Sequence, residues 1–187
     1  MTDFSQLPSG LPVPADDGAC DHLPGRAVPS VPLLSTSGRT VDLAARPGLV
    51  VAFCYPMTGR PGVPLPDGWD AIPGARGCTP QACAFRDLAG EFAARGAAVF
   101  GVSTQSPEEQ AEAAARLHLP FELLSDERLE LATALRLPTF EAAGRARIRR
   151  LTLILAGGRV ERVFYPVFPS DAHAAEVLAW LAARRLE

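Results

Sequence analysis

The chain has 187 residues, 48% of them hydrophobic, enough for one domain with a real core and little left over. Its formal net charge of -3, with all 18 basic residues arginine and no run of them forming a stripe, gives no electrostatic case for nucleic acid. No stretch approaches the ~20 consecutive apolar residues of a transmembrane helix, so no membrane role is expected.

Residues 1–26 hold Pro, Gly, Asp and Ser without periodicity and read as a flexible N-terminal arm, with residues 27–187 as the domain. The first 14 residues have neither a basic start nor an apolar run, unlike a signal peptide, so the expected compartment is the cytoplasm. Disulfides there are usually transient and catalytic, so the four cysteines point to redox chemistry, metal binding or burial before stapling. Three well-separated histidines weaken the metal option.

Apolar pieces from Val31 to Leu43 around Ser37-Gly38 predict a small hairpin. The continuous apolar run Leu49 to Tyr55, between Pro47-Gly48 and Pro56, predicts a strand buried on both faces. Residues 57–77 are rich in Pro and Gly and read as a long loop carrying Trp69, a length more often functional than incidental. A helix follows, with Thr79 as candidate cap, Pro80 in the first turn, an apolar stripe of Phe85, Leu88, Ala89 and Phe92, and Gly96 as the stop.

Ala98 to Val102 predicts a second buried strand, and Ser106-Pro107-Glu108-Glu109 starts a helix as a capping box. Pro120 to Leu124 is short and extended, and Ser125-Asp126 opens a helix to about Arg136. Arg150 to Leu155 and Val160 to Tyr165 read as strands joined by the Gly157-Gly158 turn. Ser170-Asp171 caps a last helix with Ala174, Val177, Leu178 and Leu181 on one face. The order predicts an α/β protein of the thioredoxin-like fold, a mixed β-sheet flanked by helices.

The chemistry concentrates in Gly77-Cys78-Thr79-Pro80-Gln81-Ala82-Cys83. Cys78 falls where a long loop meets a helix N-terminus, whose unpaired amides and positive dipole end favour an anion such as a thiolate. Cys83, five residues on, cannot reach Cys78 on an intact helix, since ~7 Å between Cα atoms is the limit for a disulfide. A bridge therefore requires the first turns to unwind.

This segment, with Phe100-Gly101-Val102-Ser103-Thr104, Leu123-Leu124-Ser125-Asp126 and Arg150-Leu151-Thr152-Leu153-Ile154, resembles the peroxiredoxins of the AhpC/TSA superfamily. It is most similar to their bacterioferritin-comigratory, or Q-type, subfamily, and the resemblance runs from about Val31 to Leu186. It implies a thiol-dependent peroxidase acting on hydrogen peroxide and organic hydroperoxides, with Cys78 peroxidatic and Cys83 resolving. Arg150 would hold the thiolate and the peroxide oxygens, and a thioredoxin-like dithiol protein would reduce the disulfide. The family implies no metal, haem or flavin cofactor, and a monomer or weak dimer.

The chain departs from the family pattern at Ala75, where a Thr or Ser hydroxyl is usual three residues before the cysteine. Tyr55-Pro56 lies 22 residues before Cys78 rather than seven, so residues 57–77 look like an insertion of about fifteen residues. Thr58 is the nearest candidate for the missing hydroxyl; otherwise the site works without one. The rival functions are a non-enzymatic redox sensor and a thiol–disulfide exchange module, the latter weakened by the lack of Cys-x-x-Cys.

Other residues have plainer readings. Cys54 is a small buried hydrophobe, and Cys20 sits in the arm among acids, with a surface disulfide as its reserve role. Arg150 alone could cap a strand or pair with Glu141 or Glu161. His22 and His173 read as surface residues, and His118 as lying near a helix C-terminus.

Overall fold

The structure is a computed structural model that describes residue 4 and residues 6–184, so the end of the expected domain, residues 185–187, lies outside the described residues. Pro32–Ser35 (β1) and Thr40–Asp42 (β2) make the predicted hairpin. Leu49–Cys54 (β3) leads through the long loop to Cys78–Asp87 (α1) and Ala89–Ala94 (α2). Ala97–Ser103 (β4), Pro107–Arg116 (α3), Glu122–Ser125 (β5) and Glu130–Leu135 (α4) follow. Thr139–Ala142 (β6), Arg145–Ile148 (β7), Leu151–Ala156 (β8), Arg159–Phe164 (β9) and His173–Ala183 (α5) complete the chain.

Seven strands form one mixed sheet in the order β2-β1-β5-β4-β3-β8-β9, with β6 and β7 as a separate pair. β3 lies inside the sheet, parallel to β4 and antiparallel to β8, with Val51 opposite Val99 on one side and Ile154 on the other. Its residues alternate between two apolar layers. Val50, Ala52 and Cys54 pack with Leu131, Leu135 and Leu153, while Val51, Phe53 and Tyr55 pack with Phe85, Phe92 and Val177. Both faces being covered is why the run reads as continuously apolar. The parallel strands β3 and β4 end at Cys54 and Ser103, and the chain emerging there builds the site. Among the described residues no helix is long and apolar enough to cross a membrane.

Several elements differ from expectation. The helix after the loop begins at Cys78, with Gly77 (φ 103°) rather than Thr79 at its cap, and breaks at Leu88 into α1 and α2. α4 starts at Glu130; Asp126 still accepts from the N–H groups of Leu131 and Ala132, at 3.0 and 2.8 Å. Ser170 does not cap α5, because its hydroxyl donates to Gly77 O at 2.9 Å and ties that corner to the start of α1. The capping box of Ser106 and Glu109 forms as predicted.

The expected arm is packed against the domain over much of its described length. Leu23 is fully buried and Cys20 nearly so, in the same layer as β8 and α4. Gly25 N donates to Val160 O at 2.7 Å, and Tyr165 Oη donates to Asp17 at 2.9 Å. Leu23 and Val28 are too sparse to give a periodic signal, so the boundary drawn at residue 26 runs through a segment with tertiary contacts. His22 is half-buried and bonds Leu135 O at 2.9 Å, while His173 is 1% exposed, bonded to Thr152 and Glu176, and is not the surface residue expected.

Candidate active site

β3 delivers the chain to Tyr55-Pro56, and the next residue, Met57, donates its backbone N–H to Cys78 Sγ at 3.4 Å. Cys78 is the first residue of α1 and only 3% exposed. Gly77 is required before it on two counts: its φ is left-handed, and a Cβ there would strike Ser170 Oγ and Leu7 Cδ1.

Arg150 comes from the bend between β7 and β8 and is 3% exposed. Its Nη2 donates to Cys78 Sγ at 3.1 Å. The same guanidinium donates to the carbonyls of Gly74, Ala75 and Arg76 at 3.2, 3.2 and 3.1 Å, and to Gln81 Oε1. It pairs with neither Glu141 nor Glu161, and among the described residues no carboxylate forms an ion pair with it. A buried guanidinium surrounded only by neutral acceptors favours an anion at its open face. The helix N-terminus adds its dipole at the same atom, so sulfur is where negative charge is best held.

The missing hydroxyl is not supplied by Thr58. Its Oγ1 and N–H both donate to Gln105 Oε1, at 3.0 and 2.8 Å. Ala75 is fully buried, and its carbonyl lies 3.6 Å from the thiol that donates to it. The Met57 N–H is the donor present instead. The Thr79 hydroxyl is buried without a hydrogen-bond partner among the described residues and lines the same cavity as Cys78. Sequence reading cast Thr79 as a helix cap and could not single out a backbone donor such as Met57.

The inserted loop is folded rather than merely long. Trp69 is 2% exposed and packs with Ala75 and Ala142, its ring 5.9 Å from that of Phe140 on β6. The same loop, from Met57 to Pro66, walls a cavity of about 470 Å³ against α3.

Cys83 lies on α1, half-buried, with the Arg86 guanidinium interacting with its sulfur, and all four cysteines are free thiols. Structure thus places Cys78 and Arg150 together and Cys83 further along the same helix. Cys54 is fully buried, and burial pushes its thiol pKa up. Cys20 is 5% exposed, raised to about 12 by burial and then by Asp17, Asp16 and Asp21, which removes the reading of it as a surface disulfide partner. Arg147, unremarked in the sequence, is 3% exposed on β7; its Nε and Nη1 lack partners among the described residues, and burial pulls its pKa down.

A thiol held at a helix N-terminus by a buried arginine, with a second thiol on that helix and a thioredoxin-like sheet beneath, defines a thiol-based redox protein. Known proteins give the family. A family model described as Redoxin matches residues 23–178. The chloroplastic peroxiredoxin Q of Populus jackii is 32% identical over 158 residues, 84% of this chain and 67% of that protein. That of Sedum lineare is also 32% identical, over 84% of this chain and 76% of its own length. Among solved structures, peroxidoxin BcpB of Mycobacterium tuberculosis superposes with a TM-score of 0.71 at 31% identity, covering 88% of this chain and all of that one. Xanthomonas campestris peroxiredoxin Q superposes with a TM-score of 0.65 at 26% identity, covering 93% and 98%. The chain belongs to the Redoxin family as a Q-type peroxiredoxin, a thiol-dependent peroxidase.

Proposed function

We propose that the enzyme is a two-cysteine peroxidase in which Cys78 attacks the peroxide, Cys83 resolves the product and Arg150 holds the reacting atoms. The observation that carries this reading is the 3.1 Å contact between Arg150 and the Cys78 sulfur, made by a guanidinium with no carboxylate partner among the described residues. The Cys78 thiolate attacks the terminal oxygen of the hydroperoxide and the O–O bond breaks. The leaving alkoxide or hydroxide takes a proton, and sulfur becomes a sulfenic acid. Arg150 donates to the thiolate before the step and to the oxygen gaining charge during it. The Met57 N–H and the Thr79 hydroxyl, unpartnered among the described residues, are the other donors positioned to share that charge.

The Cys83 thiolate then displaces hydroxide from the sulfenic sulfur, the hydroxide taking a proton to leave as water, and a Cys78–Cys83 disulfide forms. The two residues are the first and sixth of α1, ~7.5 Å apart along an intact helix, so the first turn unwinds for this step. A thioredoxin-like dithiol restores both thiols by exchange. The proposed setting is the cytoplasm and the working unit a monomer or weak dimer. Peroxide consumption coupled to thioredoxin and its reductase tests the cycle: Cys78→Ser is expected to abolish it. Turnover surviving that change contradicts the assignment.

A further inference from the structure

The first described residues run across the mouth of this site. Phe4 is 8% exposed although it lies four residues from the start of the sequence. Its ring sits against Gly59 so closely that a Cβ there would lie 2.5 Å from ring carbon Cε1. The Arg76 guanidinium lies over the ring, 5.2 Å from its centroid. Leu7 packs on Gly77, the residue before the reactive cysteine, and Pro14 packs on Gly74. The strap is fastened further on by the Asp17–Tyr165 hydrogen bond and by buried Cys20 and Leu23.

Phe4 lines the same cavity as Cys78, Thr79 and Met57, and the free space left there is about 10 Å³. That is at the lower limit of what a single water needs, ~10–15 Å³ by this measure. A hydroperoxide with an organic group cannot reach the sulfur while the ring is in place.

We propose that Phe4 is a specificity-determining plug: its ring occupies the seat of the apolar group of an organic hydroperoxide, and the strap must lift for such a substrate to enter. This rests on the assignment of Cys78 as the peroxidatic residue. Met57, Gly59, Leu65 and Trp69, which line this cavity with the ring, form an apolar wall suited to an alkyl or aryl group. Hydrogen peroxide, which needs little more room than water, is expected to enter with much less displacement. The plug therefore taxes large substrates selectively, by the fraction of time the mouth is open.

The test is kcat/KM for cumene hydroperoxide and for hydrogen peroxide, measured on wild type, Phe4→Ala and Phe4→Leu. Phe4→Ala is expected to raise the cumene-to-hydrogen-peroxide ratio at least about tenfold, the scale set by releasing a buried aromatic ring. Phe4→Leu, which refills the seat with an apolar group, is expected to return the ratio toward wild type. A ratio within about twofold of wild type in both variants, or an equal fall with both substrates, overturns the plug. A wild type that consumes neither peroxide overturns the role of Cys78 itself; one that consumes both while the ratio stays fixed overturns Phe4 alone.

Discussion

The Arg150 guanidinium reaches the Cys78 sulfur through Nη2 at 3.1 Å, and the same nitrogen holds the carbonyls of Ala75 and Arg76 while Nε holds that of Gly74. One side chain thus supplies charge at the thiol and fixes the backbone that leads to it. Arg150→Lys keeps the charge but loses the planar fork. The second-order rate constant with hydrogen peroxide is expected to fall about a hundredfold, the scale for removing a positioned donor to a developing oxyanion. Stopped-flow tryptophan fluorescence measures it, and an unchanged rate would contradict the role given to Arg150.

The Thr58 hydroxyl is spent on Gln105, not on sulfur. Thr58→Val is therefore expected to cost about 0.5–1.5 kcal/mol of stability, through the loss of one hydrogen bond, since Gln105 Oε1 keeps the Thr58 backbone N–H. The peroxide rate should stay within a few-fold of wild type. A large loss of rate without loss of stability would return Thr58 to the site.

Thiol reactivity should divide cleanly in the folded protein. Cys54 and Cys20 are buried and their thiols are pushed up, Cys20 to about 12, so neither forms thiolate near neutral pH. Brief alkylation with iodoacetamide followed by peptide mapping is expected to label Cys83 first, Cys78 only as the N-terminal strap lifts, and to spare Cys54 and Cys20 until denaturant is added. Cys54→Ser, placing a hydroxyl in a fully buried position, should destabilise by about 1–3 kcal/mol.

Acid should loosen the hairpin edge of the sheet. Glu122 on β5 accepts from Arg39, Ser35 and Ser37, and these bonds, Arg39 first, hold its carboxyl at about 2 against an ordinary 4.5. A depressed carboxylate contributes stability that is fully present above its unfolded value and lost as pH falls through the folded one. Glu122→Gln is expected to be less stable than wild type in urea melts near pH 6, with the gap closing between about pH 4.5 and 2. A gap that is constant with pH would mean the carboxylate charge is not what binds β1–β2 to β5.

Much of this was legible in the chain itself, and the exceptions have physical causes. The apolar run of β3, the Ser106 capping box and the Gly157-Gly158 turn are local signals strong enough to survive tertiary context. The β6–β7 hairpin went unread because arginines at 145 and 147 obscure its alternation. Its turn also uses Ala143 at φ 50° beside Gly144 at 68°, where Asn or Gly is the usual sign. The position of Cys78 between loop and helix was legible from its neighbours and Arg150 from the family resemblance alone, whereas the Met57 donor was not. Met57 acts through a backbone N–H that any residue would carry, and Arg150 gains its site by a fold that spans 72 residues of sequence. The contacts of the N-terminal segment, Phe4 on Gly59 and Leu7 on Gly77, could not be read because they are single residues meeting glycines, with no period to mark them.

The central claim is that Cys78 takes the peroxide oxygen and Cys83 removes it, and intact mass tests it most directly. After one equivalent of hydrogen peroxide, wild type is expected to lose two hydrogens, in a disulfide mapped to Cys78 and Cys83. Cys83→Ser is expected instead to gain one oxygen, on Cys78. Masses that stay unchanged over minutes in both proteins, or oxygen gained at another cysteine, would contradict the account.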